Sequence, residues 1–210
     1  MGKSKAVILL SGGLDSTVLY YKVRKDYETY PLVLNYGQKH ELEIDKVKAI
    51  VASLECFYDL EAFRGEVEGD NMSAVHPHRN LFMLTVAAMY AKKVKAEVIF
   101  HGASRTDAIN FPDCREEFFR SAERTLELSL EQPISIETPF LHFSKAEVIK
   151  KGIDLKVPFE KTLTCYRPIE KDGKVYSCGK CSTCLARLYA FKTVGSKDPA
   201  LYVEKEEKNA

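Results

Sequence analysis

Residues 6–17 read AVILLSGGLDST, and the order of their chemistry decides the fold. Ala6, Val7, Ile8, Leu9 and Leu10 form an unbroken apolar run, as in a parallel strand buried on both faces. Ser11, Gly12 and Gly13 end it, and the spacing of Leu14, Val18, Tyr21 and Val23 predicts a helix over 14–25. A strand that turns on glycines into a helix builds an anion site. Gly12 and Gly13 permit backbone angles closed to other residues and leave no side chain between main chain and ligand. The turn N–H groups and the helix N-terminus face one point. Ser11, Ser16 and Thr17 add hydroxyl donors. Asp15 would repel bare phosphate, so it is expected to cap the helix or to hold a magnesium ion bridging the phosphates. No lysine follows the glycines, which separates this turn from the G-x-x-x-x-G-K-S/T loop.

Outward from this turn, strands and helices alternate. Strands are expected at 31–36, 56–60, 97–102 and 134–137, and helices at 41–54, 80–94 and 115–130. Residues 64–78 and 103–114 read as loops. Ser144-Lys145-Ala146-Glu147 has the form of a capping box opening a helix through Lys151. A last helix is expected at 185–194, and 204–210 as a frayed tail. The alternation predicts one α/β domain over 1–210, a doubly wound and mostly parallel sheet of about five strands with helices on both faces. Residues 160–195 form a small C-terminal appendage.

Charge and composition narrow the function. The chain has 31 Lys+Arg against 30 Asp+Glu, and the basic residues are scattered among acids, so no direct polynucleotide partner is expected. No apolar run approaches the ~20 residues that span a bilayer, and no signal-peptide pattern opens the chain, so the expected location is the cytoplasm.

Four of the six cysteines crowd together. Cys178, Cys181 and Cys184 are spaced C-x2-C-x2-C, with Cys165 upstream. In a reducing compartment such clustering points to metal rather than disulfides. Four thiolates satisfy tetrahedral zinc and leave no open position, so the site reads as structural. An iron–sulfur cluster on the same ligands is chemically possible.

The string SGGLDST resembles the signature of the PP-loop ATP pyrophosphatase superfamily, with its adenine nucleotide alpha hydrolase-like fold. That resemblance implies ATP on Leu10, Ser11, Gly12, Gly13, Leu14, Asp15, Ser16 and Thr17, and attack of a substrate oxygen on the α-phosphorus. Ligands in such sheets sit beyond the carboxyl ends of the strands. The loops there carry Gly37-Gln38-Lys39-His40, His78-Arg79-Asn80, Thr106-Asp107, Phe111-Pro112-Asp113-Cys114-Arg115 and Lys145.

Together with TPF…KAEVI, TLTCY and CGKCSTCLAR, these strings resemble the 7-cyano-7-deazaguanine synthase family from Val7 to about Phe191. The resemblance implies a carboxylated deazaguanine and ammonia as substrates, ATP with Mg2+, one structural Zn2+ on Cys165, Cys178, Cys181 and Cys184, and a homodimer. It implies catalytic roles for Asp15, Lys145 and Arg115, and substrate contacts from Arg79, Asn80, Asp107, Asp113 and Arg115. Asp107 and Asp113 would accept guanine-like N–H groups, Arg115 or Arg79 would hold the carboxylate, and Lys145 would neutralise charge on departing pyrophosphate. The chain departs from the family's commonest wording at His78, where Gly or Ala is usual, and at Ser104-Arg105. Three other readings stay open: a paralogue passing the adenylate to another amine, a tRNA-thiolating enzyme using Cys114, and a nucleotide-binding regulator without turnover.

Overall fold

A computed structural model of the chain describes residues 2–35, 42–51, 56–59 and 78–203. Strands β1 (Lys5–Leu9), β2 (Glu28–Asn35), β3 (Cys56–Asp59), β4 (Val98–Phe100) and β5 (Ser135–Glu137) form one sheet in the order β3-β2-β1-β4-β5. Every pairing in it is parallel. The helices are α1 (Leu14–Val23), α2 (Leu42–Ile50), α3 (Arg79–Val94), α4 (Arg105–Asn110), α5 (Glu116–Leu130), α6 (Lys145–Asp154) and α7 (Ser182–Thr193).

The period of two along β1 shows why both faces are covered. Ala6 and Ile8 enter a core with Leu14 and Val18 of α1, Val148 and Ile149 of α6, and Phe191 of α7. Val7 and Leu9 enter another, with Leu84 and Ala88 of α3 and Phe119 and Leu126 of α5. All four β1 side chains are buried, as the apolar run required. The doubly wound sheet expected from the sequence is therefore what forms.

Three local departures have physical reasons. Strand β2 begins at Glu28, ahead of the expected 31, because Glu28 to Pro31 pair with Lys5 to Ile8 of β1. Leu10 N–H donates to the Leu32 carbonyl, so Leu32 faces β1 and Pro31 faces away, before β3 pairing starts at Leu32. A proline N there forfeits no bond to β1. Residues 103–114, expected as a loop, contain α4 and a 3-10 turn, Pro112–Cys114. The irregular Cys-rich stretch contains a hairpin, β6 (Ile169–Lys171) with β7 (Lys174–Tyr176). The sequence expectations for 37–40, 64–77 and 204–210 lie outside the described residues.

Helix α6 runs to Asp154, past the expected Lys151, and is held close against its neighbours. A Cβ on Gly152 would lie 2.4 Å from Phe159 and 2.8 Å from Val18. Gly152→Ala should therefore destabilise the fold by about 1–3 kcal/mol despite alanine's better helix propensity. Urea unfolding would check this, and a more stable variant would contradict the packing.

Candidate functional site

The sheet reverses its direction of winding between β1 and β4, and the loops leaving these strands diverge around a crevice. Gly102, just beyond β4, sets their spacing: a Cβ there would stand 3.3 Å from the Ser16 backbone.

The turn after β1 takes the anion-binding form. Gly12 has φ +86°, a region that favours glycine, whereas Gly13 is extended and forms the N-cap of α1. The Ser11 N–H donates to Ser16 Oγ (3.2 Å), and the Gly13 N–H donates to Ser11 Oγ (3.2 Å). The Ser11 and Ser16 hydroxyls hydrogen-bond each other at 3.1 Å. Thr17, wholly buried, donates to the Gly13 carbonyl at 2.8 Å. Thr17 thus braces the turn from inside. Leu10 and Leu14 are core side chains that can offer a ligand only their backbone. The first-turn N–H groups of α1 lack intrahelical partners and point out of the turn.

Asp15 neither caps α1 nor stands free. Lys145 donates to Asp15 Oδ2 in a pair whose side chains are 19% and 20% exposed. Lys145 is the first residue of α6, held by the expected capping box: Ser144 N–H and Oγ donate to Glu147 Oε2 at 2.7 and 2.6 Å, and Glu147 N–H donates to Ser144 Oγ at 3.3 Å. Burial pulls the Lys145 pKa down, but Asp15, with Asp107 beyond it, outweighs that and holds it above its ordinary value. Lys145 is therefore a fixed positive charge. Asp15 Oδ1 is buried without a hydrogen-bond partner, a free carboxylate oxygen at the turn that fits a hard cation.

Across the crevice, Arg79, Asp107 and Asp113 all act electrostatically on His101 and Cys114. His101 directly follows β4 and went unnoticed in the sequence, where a lone histidine after an apolar strand carries no signal. Its Nδ1 accepts the Ala103 N–H at 3.1 Å, which leaves Nε2 as the protonated nitrogen. Its ring packs on Phe119. Burial lowers its pKa from 6.5 to about 4, against the pull of Asp107, so it is neutral.

The other expected substrate residues divide. Asp107 Oδ2 accepts from Ser104 N–H (2.8 Å) and Ser104 Oγ (2.7 Å), closing a capping box on α4. Asn80 is buried and donates to the Asp113 carbonyl (3.0 Å) and Cys114 Sγ (3.2 Å), so it braces α3 against the 3-10 turn. Arg115 is exposed, its Nε donating to the Ala108 carbonyl at 3.4 Å. The departures from family wording also find local reasons: Ser104 supplies the α4 cap, and His78 sits at φ +60°, a region His enters more readily than most residues. Cys114 is 5% exposed, and burial, with Asp107 and Asp113 nearby, pushes its thiol up to about 12.

The four clustered cysteines converge. Sγ atoms of Cys165, Cys178, Cys181 and Cys184 lie within 4.8 Å of one another, and all four are free of disulfides. The Cys178–Cys184 separation is 4.0 Å, close to the ~3.8 Å edge of a tetrahedron with 2.3 Å zinc–sulfur bonds. Backbone N–H groups of Arg167 and Cys178 both donate to Cys165 Sγ at 3.2 Å, satisfying a sulfur that would carry negative charge. The donor set fits a structural metal.

Neutral His101 sets a sign for pH dependence. Between pH 6.5 and about 4 the unfolded chain takes up a proton that the folded chain excludes, so stability falls as pH drops through that window. His101→Gln should flatten this part of the profile in urea titrations at pH 7 and pH 5. An unchanged slope would remove His101 from the account.

With the site in view, comparisons with known proteins place the chain. It matches the family described as queuosine biosynthesis protein QueC over residues 5–67 and 60–195. It is 36% identical over 219 residues to the 7-cyano-7-deazaguanine synthase of Marinomonas sp. (strain MWYL1), covering 94% of this chain and 98% of that protein. Against the 7-cyano-7-deazaguanine synthase of Thermoplasma acidophilum it is 34% identical over 227 residues, with 96% and 93% covered. Among solved structures, an NH3-dependent NAD synthetase from Campylobacter jejuni superposes with TM-score 0.52 at 10% identity, covering 75% of this chain and 66% of that one. The U34-tRNA thiolase NcsA from Methanococcus maripaludis gives 0.51 at 16% identity, covering 80% and 61%. These two support the fold; the family rests on the sequence matches, which run nearly from end to end. By those matches the chain belongs to the QueC family of queuosine biosynthesis proteins.

Proposed function

We propose that this chain is an ATP-dependent carbon–nitrogen ligase that converts 7-carboxy-7-deazaguanine and ammonia to 7-cyano-7-deazaguanine. The carrying observation is Lys145, which joins the phosphate turn at Asp15 and feels Asp107 on the opposite wall. One residue thus stands where ATP and a second substrate would meet.

In this reading the pyrophosphate end of ATP rests on the N-terminus of α1 and the Gly12–Gly13 turn. A carboxylate oxygen of the base attacks the α-phosphorus, and pyrophosphate leaves. Lys145 stabilises the charge that builds on it. Ammonia adds to the acyl carbon, AMP departs with the oxygen, and the amide forms as the nitrogen loses a proton. The amide oxygen then attacks the α-phosphorus of a second ATP, and a second pyrophosphate leaves. Loss of that oxygen as AMP and of the remaining nitrogen protons leaves the nitrile. Asp107 Oδ1, Asp113 and the Nε2–H of His101 offer acceptors and a donor for the planar base, and Arg79 a partner for its carboxylate. Asp15 Oδ1 would hold Mg2+, which would supply positive charge against the phosphates. Cys165, Cys178, Cys181 and Cys184 would hold Zn2+, which pins the segment beside the phosphate turn.

The thiolation reading loses ground on Cys114. A sulfur carrier works as an accessible thiolate, whereas this thiol is buried, already accepts the Asn80 amide, and is pushed up to about 12. The homodimer and the cytoplasmic location belong to the same proposal. Among the described residues, no helix is long and apolar enough to cross a membrane.

Incubation with ATP, Mg2+, ammonium and 7-carboxy-7-deazaguanine, followed by mass, should show carboxylate passing to amide and then nitrile. Adenylate that accumulates without ammonia product would favour transfer to another amine, and no ATP consumption would favour a regulator. Lys145→Met should lower kcat about 10²–10³-fold. Asp113→Asn should raise the KM for the base and leave that for ATP unchanged. Metal analysis of the purified chain should return one zinc per chain; iron, or no metal, would overturn that assignment.

A further inference from the structure

Among the described residues, only Arg187 and Asp198 are charged and buried. Arg187 Nε and one terminal nitrogen donate to the two Asp198 oxygens at 2.8 and 2.9 Å. Asp198 also accepts from Tyr202 Oη (2.6 Å) and Ala200 N–H (3.0 Å), so it is anchored from its own side. A buried ion pair is weak evidence of stabilisation, because well-packed apolar residues often serve as well. The remaining contacts of Arg187 indicate another use.

Apart from the Phe191 ring beneath the guanidinium, 5.5 Å from its centroid, they fall on one strap of chain. Its terminal nitrogens donate to the Phe159 carbonyl (3.0 Å), the Thr162 carbonyl (3.3 Å), Thr162 Oγ1 (2.8 Å) and Thr164 Oγ1 (3.2 Å). The other edge of the strap touches the phosphate turn. Leu163 N–H donates to the Gly12 carbonyl at 3.1 Å, and its own carbonyl lies 3.6 Å from where a Gly13 Cβ would stand. Orienting the Gly12 carbonyl orients the whole peptide it shares with Gly13. Two adjacent glycines are the residues least able to hold such a peptide unaided. The strap then runs on to Cys165, while Arg187 lies three residues past Cys184 on the same face of α7.

We propose that Arg187 is a positioning residue for ATP: anchored on Asp198, it presses the 162–164 strap against the phosphate turn and so fixes the Gly12–Gly13 peptide for phosphate. The proposal rests on the reading of this turn as an ATP site. Arg187 touches no ligand; it acts through Leu163. The planar fork is needed because the group must serve a carboxylate and a row of strap oxygens together, which one ammonium cannot do.

The test is calorimetric titration of the zinc-loaded protein with ATP–Mg2+ and, separately, with 7-carboxy-7-deazaguanine. Arg187→Lys keeps a cation against Asp198 but loses most strap contacts. It should bind ATP about tenfold more weakly, with binding of the base, metal content and circular dichroism unchanged. A paired Thr162→Val and Thr164→Val variant, with Arg187 intact, should show the same selective loss, and it decides the matter if Arg187→Lys fails to fold. Wild-type ATP affinity in a folded variant would overturn the proposal. So would equal losses for both ligands accompanied by lost metal, the mark of general destabilisation. Wild-type protein that binds no ATP would instead overturn the ATP reading on which this one stands.

Discussion

The constraint on which the site depends is the reversal of winding at β1. This strand pairs with β2 on one side and β4 on the other, and it is buried on both faces. The chain moves outward through β2 and β3, then returns across the sheet to β4. The loops leaving β1 and β4 consequently diverge, and no helix can fill the space between them. Gly102 lets the β4 exit approach α1 to van der Waals distance, so the two walls stay within reach of one small ligand. The crevice follows from topology; the residues lining it decide its chemistry.

Charge in the crevice is arranged by rigid elements. Lys145 owes its place to a capping box at the start of α6, and α6 is locked against α1 and Phe159 by the absence of a side chain at Gly152. Its backbone is therefore fixed, and its ammonium is held at Asp15 by the ion pair. Opposite, Asp107 is held by the α4 cap and His101 by the Ala103 N–H, so neither needs to reorganise around a ligand. Groups held this way stabilise developing charge at little reorganisation cost. The four-cysteine centre and the Arg187 strap extend the same rigidity to the far side of the phosphate turn.

The legible features were local ones. An apolar run into a glycine turn, the Ser144–Glu147 box and the C-x2-C-x2-C spacing each express a complete physical motif within a few residues. The Ser104–Asp107 box has the same form, yet α4 buries none of its residues, so no apolar periodicity marked it as a helix. Tertiary placement was hidden. Asn80 and Thr17, expected as ligand contacts, also make hydrogen bonds inside the protein that no local pattern announces: the Asn80 amide nitrogen to the Asp113 carbonyl and the Thr17 hydroxyl to the Gly13 carbonyl. His101 gains meaning only from Arg79, Asp107 and Asp113, which reach it from other elements. Arg187 reads only as part of the last helix and of the CGKCSTCLAR string, Asp198 lies between that helix and the tail, and a buried ion pair has no sequence period.

The central claim is that a carboxylate oxygen of the substrate attacks the α-phosphorus of ATP on the Gly12–Gly13 turn. Substrate labelled with 18O in its carboxylate tests this directly, by mass analysis of the nucleotide product. Carboxylate activation at that phosphorus predicts 18O in the phosphate of AMP, one atom for each ATP consumed. Unlabelled AMP, or label found only in water, would contradict it.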